Sequence, residues 1–184
     1  MDEDRAAVHR LKTGDIGGLE TLVCRYQLKA IRAAFLILHD EPAAEDVAQE
    51  TFLRVFKHIQ RFDENRPFGP YLLRSVVNAA LDAAQKASRG RQVAASLESV
   101  EGLIQRAMSV ESQADFNALK GALSNALEQL PPRQRAAVVM RYYLQMSESE
   151  MASALNSRPG TVKWLLNAAR ARLRTLLDAE WRSE

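Results

Sequence analysis

Cysteine and histidine are scarce in this chain. Its 184 residues include 1 cysteine, Cys24, and 3 histidines, which are His9, His39 and His58. A lone thiol cannot close an internal disulfide, and the histidines lack the spacing of metal ligands. The sequence also shows no phosphate-binding loop and no nucleophile–base pair. We therefore expect no catalytic residue, no metal, no cofactor and no small-molecule substrate. The protein should act by binding.

Long apolar runs are missing as well. No stretch approaches the roughly 18 apolar residues needed to cross a membrane. The acidic beginning, Met-Asp-Glu-Asp-Arg, is unlike a secretory signal. The composition, 47% hydrophobic and 26% charged, is typical of a soluble globular protein. Together with the single cysteine, these features predict a cytoplasmic protein without membrane insertion.

Charge is unevenly distributed along the sequence. Residues 1–91 carry 14 basic and 13 acidic side chains, residues 92–116 carry 1 and 4, and residues 117–184 carry 10 and 6. One stretch of the last region has five basic side chains and no acidic one: Arg158, Lys163, Arg170, Arg172 and Arg174. A stripe of one sign on a helix favours contact with nucleic-acid phosphates.

Helical periodicity dominates, and no strand-like alternation is sustained. The pattern predicts helices near residues 4–12, 16–38, 42–59 and 68–87, and again near 119–130, 132–143, 147–155 and 159–177. Residues 92–116 are rich in Ser, Glu, Gln and Ala, which predicts a flexible acidic linker with one short helix near 103–108. The expected fold is all-α, with two small helical domains, 1–91 and 117–184, joined by that linker.

The last two predicted helices have the layout of a helix-turn-helix. Ser147 and Glu150 form a capping box, Asn156 suits the tight turn, and Pro159 suits the first position of the final helix. On that final helix the side chains predicted to face outward, together with the flanking basic ones, form a candidate DNA surface: Arg158, Thr161, Lys163, Trp164, Asn167 and Arg170. The alternative for Trp164 is a ring folded back over an edge of the core.

The third predicted helix has a polar face with one apolar side chain in it. Asp46, Gln49 and Glu50 share this face at i, i+3, i+4 spacing, and Leu53 falls in its middle. A solvated face with a stray leucine explains this pattern. A partner contact with an apolar centre and a polar rim explains it as well.

Aromatic, arginine and asparagine side chains mix around the start of the fourth predicted helix. The loop before it and its outward face supply Arg61, Phe62, Asn65, Arg66, Phe68, Tyr71, Arg74 and Asn78. Such a mixture can stack on unpaired bases and form hydrogen bonds with them. Phe62 and Phe68 fit equally well as rings that cap the core at a helix entry.

Two sets of motifs together resemble a known family. Asp46-Val-Ala-Gln49-Glu50-Thr-Phe52-Leu53 resembles the clamp-binding helix of bacterial sigma factors, and the segment from Arg61 to Asp82 resembles their promoter-melting and −10-reading part. Leu130-Pro-Pro-Arg-Gln-Arg and Gly160-Thr-Val-Lys163 resemble their −35-reading domain. The size and the short linker are similar to those of the extracytoplasmic-function (ECF) group of the sigma-70 family.

The resemblance implies a dissociable initiation subunit of bacterial RNA polymerase. It implies that Asp46, Gln49, Glu50 and Leu53 contact the β′ clamp helices of core polymerase, with the β flap as a further partner. It assigns the residues from Arg61 to Asn78 named above to −10 DNA and those from Arg158 to Arg170 to −35 DNA. It also implies control by an anti-sigma factor.

Several positions depart from the habits of that family. Tyr71 stands where tryptophan is usual, and Val77, Leu165 and Ala168 stand where arginine is usual. The changes at Leu165 and Ala168 predict an unusual or weak −35 preference. Two other classes of function stay open for the residues themselves: a polymerase-independent helix-turn-helix regulator with an N-terminal sensor domain, and an inert adaptor whose helix-turn-helix binds protein.

Overall fold

The computed structural model describes residues 2–90 and 121–180, and every regular element in these two ranges is helical. The all-α prediction is therefore confirmed for the described residues. The predicted linker, residues 92–116, and the predicted short helix near 103–108 lie outside them. None of the described helices combines the length and the apolar character that crossing a membrane requires.

The N-terminal unit consists of four helices and one short turn. They are α1 (Asp2–Lys12), α2 (Gly17–Leu38), α3 (Glu41–Lys57), a 3-10 turn (Ile59–Arg61) and α4 (Phe68–Gly90). Asp40 begins α3, because its Oδ1 accepts a hydrogen bond from the Ala43 N–H at 3.0 Å. His39 ends α2 in the left-handed conformation, with φ of 53°, and its N–H donates to the Phe35 carbonyl.

Helix α2 packs against the other three helices of this unit. The side chains that α3, the 3-10 turn and α4 direct toward this core recur at helical spacing and are all buried: Ala44, Ala48, Thr51, Phe52, Val55, Ile59, Leu72, Leu73, Val76, Ala80 and Ala84. Gly18 allows α1 and α2 to approach closely, since an added Cβ would lie 2.2 Å from the Ala7 carbonyl oxygen.

The C-terminal unit contains four further helices. The described part of α5 covers residues 121–128, and it is followed by α6 (Pro132–Val138), a π-helical turn (Val139–Tyr143), α7 (Glu148–Ala154) and α8 (Pro159–Glu180). The predicted capping box is present: Ser147 Oγ accepts from the Glu150 N–H, and Glu150 Oε2 accepts from the Ser147 N–H at 2.7 Å. Asn156 takes a left-handed φ of 46°, as the turn chemistry predicted.

The two units pack against each other. Helices α2 and α4 of the first contact α6 of the second, α2 also contacts the π-helical turn, and α4 contacts α7. Leu36 of α2 packs on a small cluster in the second unit formed by Leu127, Leu130 and Ala169. Helical periodicity predicted two units but did not anticipate this packing.

Candidate polymerase and nucleic-acid interfaces

The polar face of α3 is exposed as predicted. Asp46, Gln49 and Glu50 are all exposed, and 49% of Leu53 is accessible to solvent. Leu53 and Gln49 also lie at the edge of a groove of about 430 Å³ between α2 and α3. The groove is lined mainly by apolar side chains: Leu19, Val23, Ile31, Ala48, Phe52 and Phe56. An apolar groove beside a polar rim is the usual form of a protein–protein contact, and the sequence alone did not reveal it.

The aromatic rings near the start of α4 form one cluster. The ring centroids of Phe62 and Tyr71 are 4.9 Å apart, those of Phe62 and Phe68 are 5.6 Å apart, and Tyr26 is 6.0 Å from Phe68. The exposed fraction is 9% for Phe62 and 3% for Phe68, against 39% for Tyr71. Tyr71 is therefore the ring of this cluster that offers a face to an unpaired base.

Phe62 and Phe68 are buried, which agrees with the alternative in which these rings cap the core at a helix entry, and their contact with −10 DNA stays a prediction. Both rings belong to the N-terminal core. The loop is held back on α1, because Lys12 Nζ donates to the Phe62 carbonyl at 2.7 Å and lies 3.4 Å from a carboxylate oxygen of Glu64. These two rings support Tyr71.

A cleft of about 170 Å³ lies between α1 and this loop. It brings Asn65 and Arg66 together with the edges of Phe62 and Phe68, and α1 supplies Asp4 and Arg5 to its wall. Asp63 orders the loop, because its Oδ1 accepts from both the backbone N–H and the side-chain amide of Asn65. Arg61 is exposed outside the cleft lining. The contribution of α1 was missed, since it depends on contacts between residues far apart in sequence.

The remaining two −10 candidates lie further along α4. Arg74 is exposed, but its Nη1 donates a hydrogen bond of 2.8 Å to Ser153 Oγ on α7 of the other unit. Asn78 is half-buried. This face of α4 therefore meets the helix-turn-helix in the described conformation.

All six candidates for the second DNA surface are exposed around the first half of α8: Arg158, Thr161, Lys163, Trp164, Asn167 and Arg170. Trp164 is 62% exposed, so the alternative in which its ring folds over the core is wrong. Arg170 donates through Nε to Tyr142 Oη at 2.9 Å and through Nη1 to Asn167 Oδ1 at 3.4 Å. Tyr142 is itself 58% exposed and joins this surface.

Two of the residues that differ from the usual family pattern are core residues. Val77 is 0% and Leu165 is 4% exposed, and both belong to the core of buried side chains. Neither is available to DNA in this conformation. The exposed side chains of α8 are therefore the ones that can contact bases and phosphates.

Polar groups are buried where α2 meets α6. His39 lies beside Arg135 of α6, which is 8% exposed. Burial and the positive charge of Arg135 together lower the pKa of His39 to about 4, so its ring is neutral at pH 7. Burial also raises the pKa of Tyr143 in the π-helical turn. The positive charge of Arg32 on α2, and its hydrogen bond with Tyr143, oppose this rise.

Within residues 2–90 and 121–180, no group of three or more His, Cys, Asp or Glu side chains is placed to hold a metal ion. The features of these surfaces are those of macromolecular contacts: an apolar groove with a polar rim, an aromatic cleft and a basic helix.

Comparison with known proteins identifies the family. Residues 22–90 match the family described as Sigma-70 region 2, and residues 120–173 match Sigma-70, region 4. The ECF RNA polymerase sigma factor SigW of Bacillus subtilis is 30% identical over 176 residues, which cover 92% of this chain and 94% of SigW. The chain belongs to the ECF group of the sigma-70 family.

Other sigma factors show the same relationship. The RNA polymerase sigma factor CnrH of Cupriavidus metallidurans is 26% identical over 184 residues, covering 97% of this chain and 96% of CnrH. The solved structure of CnrH with the cytosolic domain of CnrY matches with a TM-score of 0.68 at 24% identity, covering 96% of this chain and 98% of that one. The sigma factor RpoE of Bartonella quintana, solved with the anti-sigma factor NepR, also gives 0.68, at 18% identity, covering 86% and 96%. These two structures share its fold.

As a sigma factor, the protein binds core RNA polymerase and directs promoter recognition and transcription initiation. The family predicted from the sequence is thus confirmed. The two alternatives, a polymerase-independent regulator and an inert adaptor, are not supported.

Proposed function

We propose that this sigma factor assigns its three tasks to three separate surfaces. The α3 face with Asp46, Gln49, Glu50 and Leu53 binds the β′ clamp helices. The region from Arg61 to Asn78 holds the −10 strand, and α8 reads the −35 element, with the β flap as a further polymerase contact. The corresponding domains are residues 1–91 and 117–184, with residues 92–116 as the linker. The protein acts by binding, without catalysis, in the cytoplasm.

The observation that carries the polymerase assignment is the exposed Leu53 at the edge of the groove between α2 and α3. A half-exposed leucine that adjoins an apolar groove can enter the interface core, while Asp46 and Glu50 offer a rim for basic side chains. An isolated surface leucine would have no groove beside it. The partner that fits is a helical element with an apolar stripe and basic flanks.

The test is the affinity for core polymerase of Leu53→Ala and of a matched control. Leu28→Ala removes a leucine of almost equal exposure, 48%, from α2 outside the groove lining. Truncating an anchor of an interface costs about 2 kcal/mol or more, which is roughly a 30-fold loss of affinity. We expect that loss for Leu53→Ala and little change for Leu28→Ala. Equal affinities of the two variants would contradict the assignment.

For the −10 strand we propose unequal roles within the candidate set. Tyr71 stacks on an unpaired base, while Asn65 and Arg66 line the adjacent cleft with amide and guanidinium donors. Phe62 and Phe68 act as supports behind Tyr71. Arg61, Arg74 and Asn78 then follow the strand on either side. This division is supported by the exposure of Tyr71 and the burial of the other two rings.

For the −35 element we propose that Lys163 and Asn167, one turn apart on α8, reach base edges. Trp164 has one N–H donor and no acceptor, so it contributes mainly apolar contact, for example with thymine methyl groups. Arg158 and the Arg170–Tyr142 pair contact phosphates. Glu148, whose carboxylate lies 3.7 Å from Lys163 Nζ, competes with DNA for that lysine.

We also propose control by an anti-sigma factor. CnrH was solved with the cytosolic domain of CnrY, and RpoE of Bartonella quintana with the anti-sigma factor NepR. The groove between α2 and α3 offers such a partner an apolar site that overlaps the proposed polymerase contact. An inhibitor seated there would exclude core polymerase by competition.

A further inference from the structure

Helix α1 is joined to the loop before α4, residues 62–67, by the side chain of Lys12. We call this segment the −10 loop. Lys12 Nζ donates to the Phe62 carbonyl at 2.7 Å and lies 3.4 Å from a carboxylate oxygen of Glu64. Gln60 of the 3-10 turn adds a third contact, because its Nε2 donates to the Lys12 carbonyl at 2.9 Å. The end of α1 is thereby bonded to residues about 50 positions further along the chain.

The contact between Lys12 and Glu64 is shielded from water. The side chain of Lys12 is 20% exposed and that of Glu64 is 25% exposed. The ion pair of Arg10 with Asp15, which also involves α1, is 48% and 50% exposed and joins residues five positions apart. Salt screens a partly buried pair less than an exposed one. Lys12 therefore constrains its loop more strongly than Arg10 constrains its neighbour. His9 also approaches Glu64, at 3.4 Å, from a position that is 67% exposed.

Lys12 lies behind the cleft that is proposed for the −10 strand. Asn65 and Arg66 line that cleft, whereas Lys12 is not part of its lining. Asp63 determines the internal shape of the loop, because its Oδ1 accepts two hydrogen bonds from Asn65. The bond from Lys12 to the Phe62 carbonyl acts differently, since it fixes where the loop backbone lies relative to α1. The directions of the Asn65 and Arg66 side chains depend on that placement.

Lys12 also offsets a negative charge in the cleft wall. Asp4 and Glu64 both line this cleft, although the proposed ligand is a polyanion. Asp4 is paired with Arg25 of α2, and Glu64 is paired with Lys12. Charge balance alone does not require the additional bond from Lys12 to the Phe62 carbonyl. The two effects of Lys12, on charge and on position, can therefore be separated by experiment.

We propose that Lys12 is a positioning residue for −10 recognition: it holds the −10 loop against α1 so that Asn65 and Arg66 face the base that enters the cleft. Helix α1 thereby belongs to the −10 site without contacting the base through Lys12. The effect on DNA rests on the proposed function, whereas the ordering of the loop by Lys12 does not.

The first test is binding of single-stranded oligonucleotides by the holoenzyme, which is the full chain assembled with core polymerase. The probes are a −10 sequence selected with the wild type and its single-base variants. Lys12→Met keeps the length of the side chain and removes the ammonium group. Arg10→Met is the matched control, because it removes a cation of α1 from the exposed pair with Asp15.

We expect Lys12→Met to bind the selected oligonucleotide about tenfold more weakly, which corresponds to a loop in the binding shape about one-tenth of the time. The preference at one base position should weaken as well, because a misplaced loop leaves that base without its partners. Arg10→Met should bind like the wild type. Wild-type affinity and base preference in Lys12→Met would overturn the positioning role.

Two further variants separate position from charge. Lys12→Arg keeps a charged donor and should retain most of the affinity. The double variant Lys12→Met with Glu64→Gln removes both charges and still leaves the Phe62 carbonyl without its donor. We expect it to bind as weakly as Lys12→Met alone. Recovery of wild-type affinity in the double variant would make Lys12 a counter-charge only and overturn positioning.

The ordering of the loop is measured without DNA, by hydrogen exchange of the Asn65 and Arg66 amides in the free full-length protein. Exchange should be faster in Lys12→Met and unchanged in Arg10→Met, with equal helical circular dichroism. Glu64→Gln, which removes only the ion pair, covers the case in which Lys12→Met does not fold, and it should also speed exchange. Wild-type exchange in the folded variants would overturn the proposal. If Asn65→Ala binds the oligonucleotide like the wild type, the proposed −10 role itself fails, whatever the exchange shows.

Discussion

The α3 face and the outward face of α4 contrast within the same N-terminal unit. The α3 face is exposed next to an apolar groove, with Leu53 at its edge. The α4 face presents Tyr71 at one end, yet further along Arg74 is bonded to α7 of the other unit. One surface is available to a partner, and the other is partly occupied by the protein itself.

After Leu53→Ala, the largest effect is expected from Tyr71→Ala, which removes the exposed ring of the α4 face. Tyr71→Ala should slow formation of the open promoter complex, because stacking on one aromatic ring is worth roughly 1–3 kcal/mol per base. Affinity for core polymerase should stay at the wild-type level. The measurement is the rate of open-complex formation on a duplex promoter and on one with a pre-melted −10 bubble.

The pre-melted bubble serves as the control for that variant. It should restore most of the lost rate, because strand opening is then already complete. Without rescue, Tyr71 would be a packing residue of the Phe62–Phe68 cluster, and the α4 face would lose its proposed role.

A second prediction concerns base readout by α8. Asn167→Ala should relax the preference at one −35 position, within the range of about 1–3 kcal/mol that a good base contact discriminates. The effect should fall toward the lower end, since Arg170 already donates to Asn167 at 3.4 Å. The measurement is selection of −35 variants against the wild type and the mutant. If a change at Arg172 alters the selected motif while Asn167→Ala leaves it intact, the face of α8 that carries Arg172 reads the bases instead.

Arg158 should behave differently from Asn167. As a phosphate contact, its replacement by alanine should weaken binding to all sequences alike and lower the salt slope by about one unit. The affinity is measured on matched and scrambled −35 duplexes across a salt series. A sequence-dependent loss would instead make Arg158 a base-reading residue.

The smallest expected effect is the pH dependence of His39. Its pKa of about 4 lies below the ordinary 6.5, so the folded protein binds this proton less readily than the unfolded chain. The stabilisation is present above pH 6.5 and is lost as the pH falls toward 4. Allowing for partial contact of the ring with water, we expect a loss of about 1 kcal/mol at pH 5, or about 2–4 °C in the unfolding midpoint.

His39→Asn is the matched control for this prediction. Asparagine tolerates the left-handed conformation with φ of 53° that ends α2, and it carries no titrating group. The variant should lose less stability than the wild type between pH 7 and pH 5. Identical pH profiles of the two proteins would show that the neutral ring beside Arg135 has no part in this dependence.

Interactions between residues close in sequence explain which features could be predicted. Periodicity located the described helices, and the capping box at Ser147 and the turn at Asn156 marked the helix-turn-helix. The exposure of the α3 and α8 faces also followed from residue spacing. These features depend on neighbours within a few positions, which is the information that a sequence displays directly.

Contacts between distant segments could not be predicted in the same way. Periodicity shows that Leu36 faces a partner but not which one, so the packing of the two units on each other was not predicted. The same limit applies to the groove between α2 and α3 and to the α1 wall of the cleft. Phe62 and Phe68 remained ambiguous, because an aromatic ring at a helix entry suits both a core and a base-stacking site.

Hydrogen–deuterium exchange of the free protein and of its complex with core polymerase tests the contrast between the two faces most directly. On binding polymerase, we predict slower exchange in α3 around Glu50 and Leu53 and faster exchange in the segments of α4 and α7 that carry Arg74 and Ser153. That result would show docking on α3 together with release of the helix-turn-helix unit. Unchanged exchange in α3, with protection gained first on α4, would contradict it.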